Sequence, residues 1–271
     1  MLRWLRALPA AVVRQRPVLS LHFAGALLLN GEYEDAVVRL RDAEQLVAVA
    51  TSAATAAGTE DEHGGRAADG ADDGADDGAA SEMVIVDQEE FRRVPGWIAM
   101  YRAAIALAQG DAVGTVHYAG LARKRLALDD HLGQGAAAGL LGLAAWTSGD
   151  LAAAYQFYVE CKTGLLQVGY ISDALGCTVT LADICMARGR LQDAMRHLER
   201  GLELGRAGSG SPARGTADMY VGMSELAREQ NDLAAARTYL LACEELGEYA
   251  GLPQNRYRRR AALARIRAAE G

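Results

Sequence analysis

A short turn returns along this chain at nearly fixed intervals, and that period constrains the fold more than composition can. Gly149-Asp150-Leu151-Ala152-Ala153-Ala154 separates two helix-like runs. Related turns stand at Gly31-Glu32, Gly110-Asp111, Gly189-Arg190 and Asn231-Asp232, and Gly271 supplies a last copy. Between the successive anchors Gly31, Gly110, Gly149, Gly189, Asn231 and Gly271 the spacings are 79, 39, 40, 42 and 40 residues, the first being about two periods. Self-similarity at such a period means an array of stacked supersecondary units, each packing only on its neighbours.

The runs between turns have helical periodicity. Met1–Arg16 predicts one or two short helical pieces broken by Pro9, and Pro17 suits the first turn of the helix that follows to Asn30. Its partner carries Tyr33, Ala36, Val37, Leu40, Ala43 and Val47 at 3.6-residue spacing and is expected to end near Ala50. A helix resumes through Trp97–Gln109, and further helices are predicted over 111–128, 132–148, 150–168, 171–188, 190–206, 213–230, 232–250 and 254–269. Asp111, Asp150 and Asp232 are placed to cap second helices.

Aligning the segments on the turn shows what the period is for. Seven residues before each anchor stand Ala24, Ala103, Gly142, Ala182, Ser224 and Ala264, all small. Eight before stand Phe23, Arg102, Leu141, Leu181, Met223 and Leu263, large and apolar except once. Five after come Ala36, Thr115, Ala154, Ala194 and Ala236; nine after, Leu40, Ala119, Tyr158, Leu198 and Leu240; twelve after, Ala43, Ala122, Cys161, Gly201 and Cys243. Small residues let two antiparallel helices cross closely, and large neighbours fill the remaining groove.

Thr51–Glu82 breaks the pattern. It is built of Ala, Gly and Asp, with no aromatic and no large aliphatic residue. Such a stretch cannot bury enough surface to offset the entropy of ordering, so a disordered loop over about 51–86 is expected. Asp69, Asp72 and Asp73 lack the loop pattern of a calcium site. The segment also holds nine of the acidic residues and one Arg. It therefore accounts for the whole net charge of −7, and the rest offers no strong field for nucleic acid.

The columns resemble the tetratricopeptide pattern, with a period stretched beyond the usual length of about 34 residues, as in MalT-type regulatory regions. Trp4-x-x-x-Leu8-Pro9-x-x-x-Val13-x-x-Arg16-Pro17-x-Leu19 is similar to the start of the helical repeats in large ATP-dependent LuxR-family transcriptional regulators. Asn231-Asp232-Leu233 and Glu248-Tyr249-Ala250-Gly251-Leu252-Pro253-Gln254-Asn255-Arg256-Tyr257 resemble the same family, particularly its actinobacterial members. The resemblance implies an all-α, right-handed superhelical solenoid of antiparallel helix pairs. It also implies a concave face of first helices that meets a protein partner or a small-molecule inducer. Trp97, Tyr101, Gln134, Asp183 and Tyr220 are the candidates for that face.

Family members carry a P-loop ATPase and a C-terminal helix-turn-helix. This sequence has no G-x-x-x-x-G-K-S/T, and Lys162-Thr163 follows Glu160-Cys161, so phosphate has no glycine cradle. The expected product is a truncated or split member whose last helix lacks a partner. The stripe Ala261, Leu263, Ala264 and Ile266 would then favour self-association.

Other chemistry finds little support. His22, His63, His117, His131 and His197 show no metal-ligand spacing, and Asp173, Asp183 and Asp218 read as carboxylates on solvated helix faces. Cys161, Cys177, Cys185 and Cys243 form no C-x-x-C pair and fall on apolar faces, as buried reduced thiols in the cytoplasm do. The Arg256-Tyr257-Arg258-Arg259-Arg260 cluster, with Arg265 and Arg267, is expected on a solvated or partner-facing helix rather than on DNA. No apolar run is long enough for a membrane span. The expectation is a non-catalytic sensor or interaction module without cofactor or metal, in three parts: 1–50, 51–86 and 87–271. A free-standing tetratricopeptide adaptor that scaffolds other proteins is the alternative.

Overall fold

The anchor of the repeat is a left-handed backbone position. Gly31, Gly110, Gly149 and Gly189 have φ between 71° and 83°, and Asn231 holds φ 59°. A residue in this conformation ends a helix without steric cost only when it is glycine, with asparagine the usual substitute. The residue after the anchor then turns its N–H back into the helix. Asp150 N–H bonds Ala145 O at 2.9 Å, Arg190 N–H bonds Cys185 O at 2.8 Å and Asp232 N–H bonds Ala227 O at 2.9 Å. Capping starts the next helix: Asp111, Asp150 and Asp232 accept from the N–H three residues on, at 2.8, 2.9 and 2.9 Å. Asp87 and Asp130 cap in the same way.

The computed structural model describes residues 2–60, 83–208 and 210–271, and for 53–60 the backbone alone. Among them are thirteen α-helices and no strand. The chain divides into two compact units, Met1–Ala127 and Leu128–Gly271. The first holds α1 (Leu2–Arg6), α2 (Ala10–Arg14), α3 (Pro17–Leu29), α4 (Tyr33–Glu60), α5 (Gln88–Ala108) and α6 (Ala112–Arg125). The second holds α7 (His131–Thr147), α8 (Leu151–Gln167), α9 (Ile171–Ala187), α10 (Leu191–Arg206), α11 (Thr216–Glu229), α12 (Leu233–Glu245) and α13 (Asn255–Glu270), with a 3₁₀ turn at Glu248–Ala250. Within each unit consecutive helices pair, α3 with α4 and α5 with α6, then α7 with α8, α9 with α10 and α11 with α12. The fold class is an all-α solenoid of helix pairs.

The aligned columns are the core. Every residue five after an anchor is fully buried, as are Ala24, Ala103, Ala182 and Ser224 seven before. The two columns meet at the crossing, where Ser224 Oγ donates to Ala236 O at 2.8 Å. Both off-pattern residues are accommodated by bonding. Buried Thr115 donates its hydroxyl to Asp111 O at 2.7 Å, and Arg102 forks onto Glu44 with two bonds of 2.5 Å. At α7 and α8 the backbones approach closely: a Cβ on Gly164 would stand 2.5 Å from His131 O and 3.1 Å from Gly135 Cα.

Some boundaries move. The helix expected to stop at Ala50 continues to Glu60. An alanine-rich stretch has the strongest intrinsic helix propensity, and Thr51 and Ser52 turn their hydroxyls back to Val47 O and Ala48 O. Residues 61–82 of the expected loop, with His63 and the Asp69–Asp73 cluster, lie outside the described residues, while 83–86 are non-helical and Val84 N–H bonds Gln15 O at 2.9 Å. The run to 250 breaks at Gly247, whose φ is 77°. Ile266 is fully buried against α11 and α12 residues, so it does not belong to an uncovered stripe; Ala261 and Ala264 are exposed.

Candidate functional site

In the second unit the first helices α9, α11 and α13 lie side by side, α11 between the other two. Between them opens a groove of about 710 Å³ whose apolar lining includes Met186, Val221 and Ala261. Its walls carry Asp183 from α9, Glu225, Arg228 and Glu229 from α11, and Arg258 and Arg265 from α13. Three guanidiniums thus meet three carboxylates, and they pair across the helices. Arg258 Nη2 lies 3.2 Å from Asp183 Oδ2, and Arg265 Nη1 donates to Glu225 Oε1 at 2.7 Å. Arg228 Nε donates to the other Glu225 oxygen at 3.1 Å and also pairs with Glu229.

Asp218 lies behind this lattice. Its side chain is 0% exposed, which corrects its expected place on a solvated face. Oδ2 accepts from Leu252 N–H at 2.8 Å, while Oδ1 stands 3.9 Å from Arg258 Nη1 with no hydrogen-bond partner. Burial raises the Asp218 carboxyl above its ordinary value, against the Leu252 N–H, the Asn255 side chain and Arg258, which favour the charged form. Burial also raises Asp183; Arg258 opposes this and Glu225 reinforces it. Arg258 therefore serves two carboxylates that surrender their charge more readily than free ones.

Of the five sequence candidates, Asp183 lines the groove. Trp97 and Tyr101 lie together on α5 with ring centroids 5.9 Å apart. Tyr101 packs over α3 at Gly25, where a Cβ would meet its hydroxyl at 2.6 Å, and burial raises its phenol. Gln134 is half-buried in the first turn of α7. Tyr220 turns toward the second helices, stacking on Tyr239 and receiving a 2.6 Å bond from Arg206. Glu225, Arg228, Arg258 and Arg265 were not singled out as groove residues. Their signal is in the repeat alignment: six before each anchor stand Gly25, Ala104, Leu143, Asp183, Glu225 and Arg265, a column that becomes charged only in the last three copies.

The described residues hold no cluster of three His, Cys, Asp or Glu that could grip a metal ion, and no helix long and apolar enough to cross a membrane. The paired helices, the left-handed anchors and the small-residue crossings define a tetratricopeptide-like repeat protein. The family described as the MalT-like TPR region matches residues 96–271, and the chain belongs to it. Two crystal structures of a Podosopora anserina protein, described as a kinesin light chain with nearly identical TPR-like repeats, share the fold. One is 15% identical with TM-score 0.55, covering 89% of this chain and 95% of its own. The other is 14% identical with TM-score 0.53, covering 84% and 92%. No curated protein matches the sequence.

Proposed function

We propose that this chain is a non-catalytic sensor and protein-interaction module of a LuxR/MalT-like transcriptional regulator, acting in the cytoplasm without a cofactor of its own. The observation that carries the reading is a polar groove on the first helices, inside a MalT-like TPR region. The groove's charges balance, so a polyanion gains little from it. A polar small-molecule inducer or a partner segment bearing both signs of charge fits better, because each can exchange with an existing ion pair. Asp183, Glu225, Arg258 and Arg265 are the residues we assign to that contact.

The neighbouring coding sequence and a binding measurement test it. Coding sequence for an ATPase and for a helix-turn-helix is expected beside this stretch, whether in its own reading frame or in adjoining ones. The chain should bind the purified ATPase product in calorimetry, and Glu225→Ala or Arg258→Ala should weaken that at least about tenfold, the loss usual when one partner of a desolvated pair is removed. Unchanged affinity in both folded variants would remove the groove from the interaction. If neither is present, the free-standing adaptor becomes the better reading.

A further inference from the structure

Cys161 on α8 and Cys177 on α9 bring their sulfurs to 3.5 Å. Helix α8 is the second of one pair and α9 the first of the next, so the two thiols straddle a seam between repeats. Both are free. All four cysteines are buried, but these two residues retain 7% and 8% exposure, against 0% for Cys185 and 3% for Cys243. A Cβ on Gly139 would stand 3.1 Å from Cys161 Sγ, so a larger residue at that position would crowd the sulfur.

The two sulfurs are not equivalent. The Cys177 S–H bonds to Cys161, which lowers the Cys161 thiol below its ordinary value against the effect of burial. The same bond, followed by burial, raises Cys177 strongly. Tyr158 is pushed up to about 12 by burial and then by the two sulfurs. At 3.5 Å one sulfur of the pair can ionise while its neighbour keeps a proton and donates it, and the directions favour Cys161 as the ionised member.

We propose that Cys161 and Cys177 are a redox-responsive dithiol, closed by hydrogen peroxide into a disulfide that joins α8 to α9. The Cys161 thiolate attacks a peroxide oxygen, the O–O bond breaks, and sulfenic acid and hydroxide form. The Cys177 sulfur then displaces the sulfenic oxygen as water, its proton leaving with that oxygen. Two thiols lose two electrons and two protons in all, and one peroxide becomes two waters. The sulfurs must close by about 1.5 Å to reach bonding length. Since α9 also carries Asp183, the bond would tether one wall of the groove, whatever occupies it.

The test is to treat the reduced full chain with hydrogen peroxide, digest it without reductant and map disulfides by mass spectrometry. A Cys161–Cys177 linked peptide is expected. A rise in Tm of about 5 °C or more, reversed by dithiothreitol, should accompany it, as for a loop of this length in a chain of this size. Cys161→Ser and Cys177→Ser should each abolish the reversible shift, and Cys243→Ser should keep it. The linked-peptide assay on unmodified protein stands even if a serine variant folds poorly. Cys161 oxidised to sulfinic acid with Cys177 still a thiol would overturn the proposal, as would an equal Tm shift in a folded Cys161→Ser variant.

Discussion

Asp218 shows how far a single position departs from the habit of its residue type. A helix carboxylate ordinarily lies in water, but this one is wholly covered, with one oxygen bonded to Leu252 N–H and the other only near Arg258. Covering a charge costs more than covering a neutral group, so the carboxyl is raised. With the folded value above the unfolded one, the native state holds the extra proton through the interval between them. The stability from this group is therefore complete below the unfolded value and is lost as pH rises through the folded one. Asp218→Asn keeps an acceptor for Leu252 N–H and removes the titration. Comparing Tm of the two proteins from about pH 7 down to about pH 4, near the ordinary Asp value, the difference should move in favour of the unmodified chain on acidification. A difference flat with pH would contradict the assignment. Asp218→Ala strands the Leu252 N–H and should cost about 1–3 kcal/mol in chemical denaturation.

At the scale of elements, the turn and the crossing were legible in sequence because both depend on residue type at one position. The left-handed anchor demands Gly or Asn, and the crossing demands a small side chain, so both recur as columns. Asn231 is the strained copy, at φ 59°. Asn231→Gly is expected to raise stability by up to about 1 kcal/mol, and Gly149→Ala to lower it by about 1–2 kcal/mol, since only the latter forces a Cβ into the left-handed region. At the α7–α8 crossing, Gly164→Ala should cost about 1–3 kcal/mol, because the new methyl meets backbone atoms that cannot turn aside. A neutral urea midpoint would show that these helices have room to separate. The groove was less legible. Solvent-facing columns carry no shared residue type: the position six before the turn runs from Gly25 through Leu143 to Glu225 and Arg265. Only pairing across helices gives those charges a common role, and pairing joins residues as far apart as Asp183 and Arg258. The long α4 was missed for the opposite reason. Alanine content was read as an inability to pack, when alanine also propagates a helix without packing.

For the whole chain, the repeat pattern implies that stability is a sum of local terms, each pair held by its own core and its contacts with the next. Leu198 tests this. It is fully buried nine residues after its anchor, packs with Leu175, Met219 and Met223, and sits so close to α11 that a Cβ on Gly222 would meet its Cδ2 at 2.6 Å. Leu198→Ala removes the side chain joining α9, α10 and α11 and should cost about 2–5 kcal/mol in the local core. In a globule with one cooperative core that loss would lower the protection of every slowly exchanging amide alike. In a stacked array it should fall on the helices that share the cavity. Hydrogen exchange followed by mass spectrometry should therefore show faster exchange across α9–α11, with α3 and α5 of the first unit retaining their protection. If α3 and α5 lose protection to the same extent as α10, the chain unfolds as one body, and the local reading of the repeats is wrong.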